Sequence, residues 1–152
     1  MPARRKSRQR ALQVLYLWDA RKLNIDEALQ SFCDFLYTAE HEEDTGVDES
    51  SPDTLDAFME QLARGTAANS VTLDELILKR AENWRIERMP IVDRNILRMA
   101  IYEMKYLQGP PAVVIDEALE LARRYSGDDT VPFVNGVLDA VRKLIAPAPE
   151  TD

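Results

Sequence analysis

Residues 4–18 read RRKSRQRALQVLYLW and join a purely basic run to a helix that is apolar on most of its circumference. At 3.6 residues per turn the apolar side chains form two adjacent stripes, Leu12, Leu15 and Tyr16 in one and Val14, Leu17 and Trp18 in the other. A surface helix needs only one such stripe. We therefore expect this helix to lie inside a helical assembly, with its basic end projecting.

The basic end of this helix carries five cations and no acidic residue before Asp19: Arg4, Arg5, Lys6, Arg8 and Arg10. Cations at a helix N-terminus oppose the macrodipole by roughly 0.3–1 kcal/mol each, so folding alone gives no reason to place them there. A polyanion such as a nucleic acid would supply the reason. A solubilising, frayed terminus is the alternative interpretation.

The composition indicates one cytoplasmic domain. The chain has 152 residues, enough for a single hydrophobic core, and its only cysteine, Cys33, excludes an intrachain disulfide and a thiolate metal cage. No apolar run approaches the roughly 20 residues of a membrane span, and no small-residue cleavage site follows the basic start. The net charge of −8 argues against indiscriminate coating of nucleic acid, so a contact with RNA would have to be local and specific.

Periodicity and caps predict seven helices and no sheet, within a domain spanning residues 1–145. Asn24 with Glu27, and Thr72 with Glu75, have the spacing of capping boxes. A fifth helix should begin at Pro90, be buried on more than one face, and stop at Gly109, an αL-tolerant residue before two prolines. Residues 40–51 are acidic and aperiodic, which predicts a surface loop, and residues 146–152 should be disordered.

The second half of the chain carries several specific motifs in a fixed order. They are VDRNILR at 92–98, AIYE at 100–103, DEA at 116–118 with ELA at 120–122, and FVNGVLD at 133–139. Together with the basic start and Leu15-Tyr16-Leu17-Trp18, they closely resemble the transcription antitermination factor NusB family. The resemblance covers residues 3–144.

The resemblance implies an all-helical protein of two small packed subdomains that binds the boxA element of nascent ribosomal RNA transcripts. It also implies a partner, the small-subunit ribosomal protein NusE, and entry into the RNA polymerase antitermination complex, with no catalysis, cofactor or metal. The residues that match the family's RNA surface are Arg4, Arg5, Lys6, Arg8 and Arg10 with Asp129, Phe133 and Asn135. Tyr16 and Asp93 match positions toward the NusE face.

Several of these positions have a structural interpretation beside the functional one. Phe133 can stack on an unpaired base or anchor the last helix in the core. Either Asp129 or Thr130 can cap that helix, and for Asp129 this would be the main role. Gly136 inside a helix costs about 1 kcal/mol relative to alanine, so either another helix or the RNA should approach it closely. Tyr16 suits the core and a partner surface equally well.

Two features depart from many family members. Pro132 replaces a lysine that often precedes the Phe-Val-Asn-Gly motif and so removes a phosphate contact, which would lower RNA affinity. The acidic residues 40–51 form an apparent insertion, which would either repel RNA or dock another partner. The alternative function is therefore a protein-only scaffold or homodimer with the same fold. An enzyme is disfavoured, because the chain has no phosphate-cradling glycine loop, no metal-ligand spacing and no nucleophile paired with a base.

Overall fold

A computed structural model describes residues 3–43, 56–81 and 84–145, and for residues 39–43 only the backbone. Those ranges hold seven α-helices and no strand, which confirms the all-α prediction. The helices are α1 (Arg4–Ala20), α2 (Ile25–Glu43), α3 (Ala57–Ala68), α4 (Ser70–Arg80), α5 (Ile91–Tyr106), α6 (Pro111–Tyr125) and α7 (Val131–Ile145). Short 3₁₀ turns at Ile86–Arg88 and Asp128–Thr130 precede α5 and α7.

The chain divides into two compact units, Met1–Ala68 and Asn69–Asp152. In the first unit α1 packs against both α2 and α3. The buried apolar side chains of α1 are Ala11, Leu12, Val14 and Leu15. The expected cover from two sides is therefore present along the middle of α1, whereas Tyr16 in the last turn but one is exposed.

The second unit is built around α5, which contacts α4, α6 and α7. Every residue of α5 from Asn95 to Met104 is buried, which confirms the prediction of a second helix covered on several faces. The buried Arg98 donates from Nε and Nη2 to the two carboxylate oxygens of Asp74 at 2.7 and 3.0 Å, and from Nη1 to Asn95 Oδ1. The bidentate pair with Asp74 compensates the charge of Arg98, whose burial without a partner would be unfavourable.

The two predicted capping boxes have different outcomes. The backbone N–H of Glu27 donates to Asn24 Oδ1 at 2.8 Å, so Asn24 caps α2 as expected. The cap at Thr72 is wrong, because α4 begins at Ser70 and Thr72 lies inside it. Only Asn69 separates α3 from α4, so the chain leaves helical geometry for a single residue and never reaches the extended conformation that a cap at Thr72 requires.

The end of α5 also differs from its prediction. The left-handed residue is Gln108, with φ 55°, and not Gly109. Gly109 instead makes a close approach: its N–H donates to Glu103 O at 3.1 Å, and an added Cβ would lie 2.8 Å from Val114 Cγ2. Glycine is needed here for space and not for its backbone freedom.

Helix α2 is longer than expected and carries an exposed aromatic residue. It continues to Glu43, so the first four residues of the predicted acidic loop are helical, while 44–51 and the predicted tail at 146–152 lie outside the described residues. Phe35 is 64% exposed, although Phe32 on the same helix is buried. None of the helices in the described ranges is both long and apolar enough to cross a membrane.

Candidate nucleic-acid interface

The basic start of α1 is tied to the start of α3 by one buried carboxylate, Asp56. Its Oδ1 accepts hydrogen bonds from the Ser7 hydroxyl at 2.6 Å and from the backbone N–H of Met59 at 3.0 Å. Its Oδ2 accepts from Arg10 Nη1 at 2.9 Å, in an ion pair whose side chains are 12% and 1% exposed. Asp56 therefore caps α3 and holds α1 against it at the same time.

The first two turns of α1 also contact an aromatic ring. The guanidinium carbons of Arg4 and Arg8 lie 4.4 and 5.5 Å from the centroid of the Phe58 ring. At these distances each cation is attracted by the ring quadrupole. Arg8 is only 7% exposed, so its packing against α3 is part of the fold.

These contacts correct the expectation of a basic end that projects as a whole. Arg8 and Arg10 are packed against partners in α3 and at its N-cap, and only Arg4, Arg5 and Lys6 are exposed. The sequence could not reveal this, because Asp56 and Phe58 are distant in sequence and the approach of α3 to α1 is a tertiary contact. Whether Arg8 or Arg10 contacts RNA stays a prediction.

Further along α1, Tyr16 is 44% exposed. Of the two interpretations that the sequence left open, the core is excluded and the surface remains. An exposed tyrosine offers a large ring and a hydroxyl to a partner, a combination that is enriched at protein interfaces.

The start of α7 presents a small polar surface beside a pair of aromatic rings. Asn135 and Gly136 are exposed, and an added Cβ at Gly136 would meet no atom of the described residues within 4 Å. None of the other described helices therefore approaches Gly136 closely, which was one of the two explanations for this glycine. Phe133 is half-buried and its ring lies 5.1 Å from that of Trp84, centroid to centroid, at an interplanar angle of 48°.

The turn before α7 is held by Asp93, which the resemblance had assigned to a partner face. The Thr130 hydroxyl donates to Asp93 Oδ2 at 2.9 Å, and Asp93 is 5% exposed. Its Oδ1 is buried and has no hydrogen-bond partner among the residues that the structure describes. Asp129 is exposed and lies within the 3₁₀ turn, one residue too early to be the residue that directly precedes α7. Of the two cap candidates, Asp129 and Thr130, it is therefore Thr130 that directly precedes α7.

Sequence reasoning missed one feature of this region, the exposed side chain of Trp84. Apolar periodicity favours a buried position for an aromatic residue just after α4, but Trp84 is 48% exposed. An aromatic residue flanked by Arg85 in a short irregular stretch was the available signal.

Exposed ion pairs shift the pKa values of two side chains, in each case in favour of the charged form. The hydrogen bond from Arg142 lowers the pKa of Asp139 below its ordinary value, and hydrogen bonds to Glu60 and Asp26 raise the pKa of Arg64. Neither pKa moves toward neutral pH, as general acid–base catalysis requires. These ion pairs therefore keep the surface groups charged.

Comparison with solved structures first defines the class. The fold is that of all-helical antitermination factors: it matches a structure of NusB from T. maritima with a TM-score of 0.78 and 30% identity, over 96% of this chain and 94% of that one. It also matches a structure of the antitermination factors NusB and NusE in complex with double-stranded RNA, with a TM-score of 0.73 and 26% identity, over 93% and 96% of the two chains.

Sequence comparison then gives the family. The profile of the NusB family matches residues 5–143. A transcription antitermination protein NusB from Solibacter usitatus is 50% identical over 143 residues, which cover 94% of this chain and 90% of that protein. The chain belongs to the NusB family of transcription antitermination proteins.

Proposed function

We propose that this protein binds the boxA element of nascent ribosomal RNA transcripts together with NusE and joins the RNA polymerase antitermination complex. The observation that carries the proposal is that the cations at the start of α1 differ in exposure. Arg8 and Arg10 are packed within the fold, whereas Arg5 and Lys6 are exposed in the first turn of α1, where they oppose the helix dipole. The phosphates of an RNA bound at that turn would offset the unfavourable interaction of the two cations with the helix dipole.

The start of α7 supplies groups that suit base recognition. The exposed amide of Asn135 can donate to and accept from a base edge, and Gly136 beside it lets a base or sugar approach the helix backbone. Phe133 adds an aromatic ring for stacking. The exposed carboxylate of Asp129 tempers RNA binding, so the positive charge for this contact comes from elsewhere.

Tyr16 and Asp93 remain the proposed NusE positions, with different roles. The exposed ring of Tyr16 is suited to direct contact. Asp93 is buried and accepts a hydrogen bond from Thr130, so we assign it the shaping of the turn before α7. Its Oδ1, which has no partner within the described ranges, would accept a hydrogen bond from an incoming donor. A solved complex of a NusB with NusE and RNA supports this pair of partners.

The same proposal places the protein in the cytoplasm, where transcription takes place, and assigns it no catalysed reaction. Family membership in transcription antitermination supports both statements. The competing function is a protein-only scaffold or homodimer, which the net charge of −8 favours because it opposes long-range attraction of RNA.

Salt dependence distinguishes the two functions. We expect the protein to bind single-stranded boxA RNA through about three to five phosphate contacts, so that a plot of log affinity against log salt has a slope near −2 to −3.5. Fluorescence anisotropy of labelled RNA over a series of salt concentrations, with NusE present, measures the slope. A protein-only scaffold predicts no RNA binding above that of NusE alone.

A further inference from the structure

Trp84 is an exposed aromatic residue to which the proposed function assigns no role. It lies between α4 and the 3₁₀ turn at Ile86–Arg88, is 48% exposed, and contacts the half-buried Phe133 at 5.1 Å between ring centroids. Leaving half of an indole in water forgoes much of the free energy that its burial would supply. One part of the ring system packs on Phe133, and the exposed part remains available to a ligand.

The backbone that follows Trp84 is held in place by burial and hydrogen bonds. Ile86 and Met89 are buried, and the Trp84 backbone N–H donates to Ala81 O at 3.1 Å. Arg94 from the first turn of α5 donates to Ile86 O at 3.1 Å and to Met89 O at 3.4 Å. Because these contacts already order the backbone next to Trp84, little ordering entropy is lost when a flat ligand stacks on the indole.

Cations surround this ring in sequence. Arg85 and Arg88 are exposed next to it, and Lys79 and Arg80 are exposed in the last turn of α4. None of these four side chains forms an ion pair with another residue in the described part of the chain. Residues 79–88 carry four cations against Glu82 and Glu87, a positive excess in a chain whose net charge is −8.

We propose that Trp84, supported by Phe133, is a stacking site for one unpaired base of a single-stranded RNA, with Arg85 and Arg88 on the phosphates that flank it. An aromatic ring among cations is the combination that binds single strands, since every base has a π-face and every linkage a charge. This site rests on the proposed function. It extends the proposed RNA path from the start of α7 toward the 3₁₀ turn before α5.

The test compares three variants with matched controls in binding to labelled single-stranded boxA RNA, with NusE present. Trp84→Ala should weaken binding about 5- to 150-fold, the equivalent of one lost stacking contact. Trp84→Phe, which keeps an aromatic face, should recover most of that loss. Arg85→Ala with Arg88→Ala should make the salt slope shallower by about 1.4, whereas Arg124→Ala on α6 should leave it unchanged.

A spectroscopic readout separates stacking from a purely structural role. The chain has two tryptophans, so in a Trp18→Phe background all indole emission comes from Trp84. Bound RNA should quench that emission, because the base lies against the ring. Unquenched emission at saturating RNA, or an affinity of Trp84→Ala within twofold of the parent, would overturn the stacking site while leaving the proposed function intact. Absence of RNA binding by the unmodified protein would overturn both.

Discussion

Replacing Asp56 by alanine is expected to lower the free energy of unfolding of the α1–α3 unit by about 3–5 kcal/mol. The substitution removes the acceptor of Ser7, Arg10 and the Met59 backbone N–H together. Breaking a buried ion pair by deleting one partner typically costs about 3–5 kcal/mol, because the remaining charge stays buried without compensation. Urea denaturation followed by far-UV circular dichroism measures the change.

The matched control is Asp26→Ala, which removes another ion pair of the same unit. Asp26 accepts from Arg64 at 2.6 Å, but the two side chains are 75% and 44% exposed. Exposed pairs contribute about 0–1 kcal/mol, so the control should change stability little. Equal effects of the two substitutions would contradict the role of Asp56 as the residue that holds α1 to α3.

Replacing Arg5 and Lys6 together by alanine is expected to weaken RNA binding roughly 60-fold at 50 mM salt while the melting temperature stays nearly unchanged. Loss of two phosphate contacts on a single strand makes the slope of log affinity against log salt shallower by about 1.4. If the variant and the parent bind equally at 1 M salt, this difference in slope makes the affinity of the variant about 60-fold lower at 50 mM salt. Both side chains are exposed, so their removal opens no cavity. Anisotropy at several salt concentrations gives the affinity and the slope.

The choice of these two residues follows from the packing of α1. A variant that also lacked Arg4 and Arg8 would lose their contacts with the Phe58 ring and, with Arg8, a buried side chain. Its loss of binding would then be confounded with loss of fold. Arg21→Ala with Lys22→Ala removes two exposed cations from the other end of α1 and serves as the control. A similar loss of affinity in the control would show that total charge, and not the first turn, governs binding.

The sequence predicts the elements of this fold well because their signals are local. The cap at Asn24, the apolar circumference of α5 and the prolines after it depend on residues within a few positions of one another, and the structure contains each of them. The cap at Thr72 failed because α3 and α4 are nearly continuous, with only Asn69 between them. A pattern within a few residues cannot show that only one residue between two helices departs from helical geometry.

The candidate site is predicted less completely, because its geometry depends on contacts distant in sequence. The motifs identified the basic start and the Phe133-Val134-Asn135-Gly136 stretch, but not that Asp56 holds Arg10 and Ser7. Nor could periodicity assign the surface position of Tyr16 or the pairing of Trp84 with Phe133, since apolar side chains suit both a core and a binding surface. Burial had to be seen in three dimensions before these residues could be assigned.

The proposed function depends above all on selective recognition of boxA RNA together with NusE. The most direct test is fluorescence anisotropy of a short single-stranded boxA RNA and of a scrambled RNA of equal composition, with and without NusE. We expect preferential binding to boxA RNA, strengthened when NusE is added, because the proposed function assigns base edges to groups at the start of α7 such as Asn135 and only phosphates to the cations. Equal affinity for the two RNAs, or no binding to either with NusE present, would contradict the account and favour the protein-only scaffold.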